Sequence, residues 1–309
     1  MRQRVLYFNL RHGFITCMLA YYFALPFVYL LAILPFKILY AVSDFFFLLL
    51  FHVFGYRRSV VEQNLRNSFP HKTEEEIKTL SKTFFRYLCD LILESLKKIN
   101  INREQSLAHC EFVDTALFER LYAENKSVIL LMGHYGNWEW AGSSFSLSNK
   151  HPLYVVYKPL SNPYFEKLMC KTRTMFGTRL IKMDNTLRDI IANKNTCSAY
   201  AFIADQTPSP QHAYWTNFLN QDTPLFMGAE KIARKMNFPV VFINIVRVKR
   251  GYYKIFAEVL FEDPKATREH EITETYIRRL EKEIVKMPET WLWSHRRWKH
   301  SRPEPVVAA

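Results

Sequence analysis

The sequence predicts an α/β fold: a mixed, mostly parallel sheet flanked by helices, with a hydrophobic, membrane-anchoring helical segment at the amino terminus. Two observations carry that prediction. From about Ser127 onward, short apolar runs alternate with runs of helical periodicity, the pattern of strands whose crossovers lie on the faces of a sheet. Ahead of it, Gly13 to Phe36 are 24 residues without a formal charge, and Ile38 to Phe54 carry only Asp44 and His52.

The amino-terminal run is long enough to cross a bilayer, which takes about 20 apolar residues. It follows Arg2, Arg4, Arg11 and His12, and Pro26 and Pro35 interrupt it, so a kinked span or two helices dipping into one leaflet fit as well as a straight span. It is too long for the apolar region of a signal peptide, and no small-x-small cleavage pattern follows. Residues 1–56 therefore read as the anchor and 57–309 as the main domain. Within the latter, residues 57–100 read as a helical pair, broken at Phe69-Pro70, with Thr73 and Glu76 forming a capping box. Strands are predicted at Val128–Met132, Pro152–Tyr157, Leu180–Ile181, Ala199–Ile203, Val240–Val248 and Tyr252–Leu260, the last two as a hairpin around Arg250-Gly251. Helices are predicted at Pro163–Phe176, Thr186–Asn193, Met227–Met236 and Thr273–Met287.

A composition of 49% hydrophobic and 16% aromatic residues with only 8 Gly excludes disordered and collagen-like chains. The formal charge of +13 implies an anionic partner: nucleic acid, an acidic membrane or a phosphorylated substrate. Five dispersed cysteines with no CxxC pair indicate neither a disulfide framework nor a zinc site, so no metal is expected and a reducing compartment fits.

The stretch SVILLMGHYGNWEW, Ser127 to Trp140, ends a buried strand in a turn holding His134 and Glu139. With 10 His and 29 acidic residues among 309 positions, a His and an acid five apart occur about once by chance, and His71 with Glu76 is such a pair. Context separates the two, because only His134 lies where a core strand gives out, the edge at which open α/β sheets bind ligands. A histidine there can take a proton from an alcohol, with a carboxylate on its other ring nitrogen; a hydrogen-bonded structural histidine is the competing reading. No Ser or Cys lies in HYGNWE, so the nucleophile would be a substrate hydroxyl. Lys158, Asn162 and Arg173 downstream suit phosphate or a developing oxyanion, or are ordinary surface groups. Asp205 follows the apolar run Ala199–Ile203 and either lines the same cleft or caps a turn. The tail PETWLWSHRRWKHSRP interleaves Trp with basic residues, which suits a lipid headgroup interface, or is packed by its Trp side chains. No nucleic-acid motif accompanies it.

Taken in order, GYRRSVVEQNLRNSFP, GHYGNWEW with an HX4E signature, VYKPLSNP through Arg173, ADQTP, WTNFLNQDTPLFMGAEKIARKMNFPVV and WLWSHRRWKHSRP resemble the late acyltransferases of lipid A biosynthesis, within the lysophospholipid acyltransferase superfamily. The resemblance implies transfer of a fatty acyl chain, from acyl carrier protein or coenzyme A as co-substrate and with no cofactor, to a hydroxyl of a membrane glycolipid at the cytoplasmic face of a bacterial inner membrane. It implies His134 as general base with Glu139 as its partner. Arg173, Lys158, Asn162, Asp205 and Asn137 would form the substrate-binding set, and Phe218 to Gly228 would shape the acyl or acceptor pocket. The chain departs from the pattern at Gln206, where many members have His, and at Asn217, where a proline is common. Acylation of a lysophospholipid or aminolipid, and a non-catalytic membrane adaptor, are the alternatives.

Overall fold

The computed structural model describes residues 2–303, with side chains described from residue 18 except at position 212. The side chains of Arg2, Arg4, Arg11, His12 and Cys17 lie outside the described residues. Two apolar helices come first, α1 (Arg2–Ile33) and α2 (Phe36–Leu48), the second running on as a π-helical turn over Leu49–Phe54. They part at Pro35, which lacks the N–H that would continue a helix. Next are α3 (Arg58–Ser68) and α4 (Glu74–Lys97), separated at Phe69-Pro70. The Thr73 hydroxyl accepts from the Glu76 N–H at 3.3 Å while Glu76 accepts from the Thr73 N–H at 2.8 Å, the reciprocal cap that the sequence predicts. Glu76 of the chance pair is thus committed to a helix start.

The α/β part continues through α5 (Arg103–His109), β1 (Cys110–Phe112), α6 (Thr115–Ala123), β2 (Val128–Met132), α7 (Trp138–Ser148), β3 (Leu153–Tyr157), α8 (Pro163–Thr174) and β4 (Arg179–Lys182). It goes on through α9 (Thr186–Ala192), β5 (Ala199–Ile203), β6 (Tyr214–Phe218), β7 (Gln221–Leu225), α10 (Gly228–Met236), β8 (Val240–Lys249), β9 (Tyr252–Phe261) and α11 (Glu271–Lys286). Seven strands form one sheet in the order β1-β9-β8-β2-β5-β3-β4, parallel throughout except at the β8–β9 hairpin, and β6–β7 forms a separate antiparallel pair. β2 is buried along its whole length: Ile129 and Leu131 join the core on one face, Val128, Leu130 and Met132 that on the other. The connection from β2 passes over β5 to reach β3, whereas that from β5 returns past β2 to β8. Such a reversal opens a crevice at the carboxyl ends of the strands.

The predicted strands and helices are present, with ends that coincide or differ by up to three residues. The sequence reading did not contain β1, β6, β7, α5 or α6. Three residues of β1 are too few to show a period, and β6–β7 reads YWTNF and QDTPL, polar and interrupted by Pro224.

Polar groups of α4 tie the amino-terminal helices to the body. Ser43 donates to Asp90 at 2.7 Å, Arg250 bridges Asp44 and Asp90, and Lys97 donates to the Ala32 and Leu34 carbonyls at 2.9 and 2.8 Å. Glu94, fully buried, accepts from Asn137 and Tyr253, each at 2.7 Å, and from Tyr40 at 3.0 Å. Burial pushes its carboxyl up to about 7, opposed by the Tyr253 hydrogen bond and reinforced by the Asp90 charge. The folded state therefore holds this proton more tightly than the unfolded chain. The resulting stabilisation, on the order of 3 kcal/mol, is fully present below about pH 4.5 and is lost as pH rises through about 7. Glu94→Gln should flatten that dependence, seen as a smaller difference between the melting temperatures at pH 5 and pH 8 than in the parent protein.

Candidate active site

At the end of β2 the backbone enters a turn that only small residues allow. A Cβ on Gly133 would come within 2.7 Å of Leu280 and 3.2 Å of the Asp205 carboxylate. Gly136 has φ +62°, and a Cβ there would meet the Ile245 carbonyl oxygen at 2.2 Å. Asn137 then caps α7, accepting from the Trp140 N–H at 3.0 Å, while its amide donates to Glu94. The turn is fastened from outside by the carboxyl-terminal strap: Tyr135 pairs with Trp291 in an antiparallel bridge, and the Leu292 N–H donates to the His134 carbonyl at 3.0 Å.

This turn delivers His134 to the crevice, where its ring meets Asp205 from the end of β5. Nδ1 lies 2.6 Å from one carboxylate oxygen, and the His134 backbone N–H donates to the other at 2.9 Å. That second oxygen also accepts from the Trp291 indole N–H at 2.8 Å and from the Arg297 guanidinium at 3.3 Å. Arg297 further donates to the Asp205 carbonyl and stacks on the Trp291 ring, 3.8 Å from its centroid. Burial alone would raise the Asp205 carboxyl, but the charges of His134 and Arg297 and the hydrogen bonds from His134 outweigh it and hold the group well below the carboxylate range. The same burial pulls Arg297 down to about 10. An ionised Asp205 is acceptor-only, so Nδ1 carries the proton and Nε2 is the basic nitrogen.

Glu139 is placed differently from expectation. It makes no hydrogen bond to His134; Arg173 grips it with two hydrogen bonds, from Nε at 3.0 Å and Nη2 at 2.5 Å. The first turn of α7 aims Glu139 at α8, whereas the ring nitrogen of His134 faces the neighbouring strand end. Burial would raise Glu139, and the Arg173 and Lys98 charges more than offset it. Lys98, itself buried and pushed down by burial to about 8, donates to the Glu139 carbonyl at 2.7 Å. Lys158 is exposed in the cavity wall. Asn162 accepts from the Tyr164 and Phe165 N–H groups as the cap of α8, and Asn137 is fully buried on Glu94, so both asparagines shape helix starts. Phe218 packs edge-on against Trp291 behind the site, while Phe226 and Gly228 reach the cavity.

The carboxyl-terminal strap corrects the lipid-interface expectation for the tail. Trp291 and Trp293 are wholly buried and Arg297 is 1% exposed. The two indole N–H groups and Nε and Nη2 of Arg297 find partners inside, on Asp205 and on the Pro288 carbonyl. Sequence reasoning also did not single out Trp138, whose ring stands edge-on 5.0 Å from His134, or His295. His295 lines the cavity, pushed down to about 4 by burial and by Arg297, and its Nδ1 has no hydrogen-bond partner. The composition of the strap signalled a site; nothing in it said which way the side chains point.

His134, Trp138, Glu139, Arg173, Lys158 and Gln206 all line one cavity of about 760 Å³ between α7, α8, α9 and α10. A smaller, apolar recess between α7 and the sheet shares Trp138, Gly142, Val155 and Ile203 with it.

The fold is thus an α/β sheet with a His–Asp pair at the carboxyl ends of its central strands, and no Ser or Cys lies in the turn that carries His134. The model of the bacterial lipid A biosynthesis acyltransferase family matches residues 12–300. A lipid A biosynthesis acyltransferase of Haemophilus influenzae is 22% identical over 274 residues, 86% of this chain and 83% of its own. A lipid A biosynthesis palmitoleoyltransferase of Escherichia coli K12 is 25% identical over 252 residues, 80% of each chain. The chain belongs to the lipid A biosynthesis acyltransferase family and is an acyltransferase.

Removing the acceptor that fixes the imidazole, in Asp205→Asn, should lower kcat at least ~10²-fold, while Trp291→Phe, which deletes one donor to that carboxylate, should cost about 10-fold. Steady-state acyl transfer by the two variants checks the order; equal losses, or none, would contradict the geometry.

Proposed function

We propose that this enzyme moves a fatty acyl chain from a thioester, that of acyl carrier protein or coenzyme A, to a hydroxyl of a lipid A precursor, with His134 as general base. The observation that carries the reading is the pairing of His134 Nδ1 with a fully buried Asp205, which leaves the basic Nε2 in the cavity wall. The acceptor hydroxyl gives its proton to Nε2 as its oxygen bonds to the thioester carbon. The C–S bond then breaks and the thiol leaves with that proton. Asp205 stays ionised and stabilises the imidazolium, as its strong bias toward the charged form allows. Arg173 is positioned by Glu139, and with Lys158 it supplies positive charge to phosphate or to the developing oxyanion. The apolar recess beneath α7 suits the far end of the acyl chain.

Attachment to the cytoplasmic face of the inner membrane, facing inward, is part of the same reading. Among the described residues, Phe36–Phe54 is the one helix long and apolar enough to cross a bilayer. Yet Ser43, Asp44 and Tyr40 on it are bonded to Asp90, Arg250 and Glu94, which favours a helix lying in one leaflet with its polar face on the domain. Outward it presents Ile38, Phe45 and Phe46, and α1 presents Leu19, Tyr22, Phe23 and Phe27. Tyr21 stacks on Tyr164 at the start of α8, and close by in the chain the β3–α8 loop exposes Leu160 beside Lys158. The cavity rim adds exposed Met183 and Leu187. An apolar surface reaching the mouth suits an acceptor that enters from the bilayer.

Purified enzyme given labelled acyl carrier protein thioester and a lipid A precursor should yield labelled glycolipid, and His134→Ala should lose at least ~10²-fold in rate. Mass spectrometry of the product separates this acceptor from a lysophospholipid or aminolipid. Phe23→Asp and Leu160→Asp should each weaken sedimentation with anionic vesicles, since each charge at a lipid-facing site costs about 2–3 kcal/mol; undiminished sedimentation would remove the bilayer contact at that residue.

A further inference from the structure

Nε2 of His134 is already occupied. The Gln206 amide nitrogen lies 3.1 Å from it, and because Asp205 accepts from Nδ1–H, the Gln206 amide is the donor and Nε2 the acceptor. The backbone of Gln206 is fixed on both sides. Its predecessor Asp205 is held by His134, Trp291 and Arg297, and its successor Thr207 donates to the Arg297 carbonyl at 2.6 Å. The side chain, in contrast, lies partly exposed in the wall of a cavity large enough to hold many waters. A base beside a thioester in such a space can activate water as it activates an alcohol. The water oxygen would bond to the acyl carbon, the C–S bond would break, and the proton would pass through His134 to the departing thiol, giving a free fatty acid and no glycolipid.

We propose that Gln206 is a displaceable cap on the catalytic base, a positioning residue that holds Nε2 against water until the acceptor hydroxyl takes its place. The proposal rests on the reading of His134 as base. Water that displaces the amide exchanges one hydrogen bond for another and gains nothing further. A glycolipid acceptor is bound through its phosphate and acyl groups as well, so its binding drives the exchange. The discrimination is that of one hydrogen bond, about tenfold.

The test uses Gln206→Ala, which removes the cap, and Gln206→Met, which keeps the side-chain length without a donor. Lauroyl, myristoyl and palmitoyl thioesters of acyl carrier protein are supplied with and without a lipid A precursor, and fatty acid release and glycolipid formation are measured together with the melting temperature. The expected result is a ratio of hydrolysis to transfer raised about tenfold in both variants at an unchanged melting temperature. An unchanged ratio, including one in which both reactions fall in proportion as a merely structural role would give, overturns the cap. His134→Ala with Gln206→Ala separates the two readings. If the double variant hydrolyses thioester as fast as Gln206→Ala alone, the base reading falls and the cap with it. Loss of both reactions together with an unchanged ratio in the single variants removes the cap only.

Discussion

A carboxylate with no access to water organises the working half of this molecule. Asp205 sits at the end of a central strand, where burial would ordinarily keep it protonated, and it stays charged because His134, Trp291 and Arg297 all donate to it. These donors come from two distant parts of the chain, the turn after β2 and the carboxyl-terminal strap. The turn after β2 could not close as it does without the strap that supplies Trp291, since the same strap accepts the Gly136 N–H through the Thr290 carbonyl and donates to the His134 carbonyl. Satisfying one buried charge thereby fixes the position and tautomer of the imidazole.

A second polar centre, on α4, does for the amino-terminal helices what Asp205 does for the cavity. Asp90, Glu94 and Lys97 in its last turns, and Lys98 directly after it, are almost wholly buried. Asp90 and Lys97 hold α2 and the end of α1, Glu94 holds Asn137 at the start of α7, and Lys98 holds Glu139 one residue past Trp138. A single helix thus links the apolar surface of α1 and α2 to the walls of the cavity, and the orientation of that surface relative to the cavity mouth follows from rigid contacts.

Much of the fold was legible because the signals are local. Five consecutive apolar residues in β2, helical spacing in α4 and the Thr73–Glu76 reciprocal cap each lie within one element, where period and side-chain chemistry suffice. The His134 to Glu139 spacing is local too, and there it misled about the pairing. Residues five apart across a strand-to-helix turn point in different directions, and the partner of His134 lies 71 positions away, the partner of Glu139 34 positions away. Asn137 and Asn162 show the same limit: an amide near a strand end reads as a ligand-binding group, and the side-chain oxygen of each caps a helix.

By itself the sequence determined the alternation of strands and helices, the apolar amino terminus, and the set of residues from which a site could be made: His134, Lys158 and Asp205 at or near predicted strand ends, and Arg173 one helix further on. Only the tertiary structure decided how those residues pair, that Trp291 and Arg297 face inward onto Asp205, and that Gln206 rests on Nε2 of His134. The physical reason is that hydrogen bonds and ion pairs of buried groups are settled by which strand ends become neighbours in the sheet. In the order β8-β2-β5-β3, that adjacency is set by long-range pairing and not by any period in the chain.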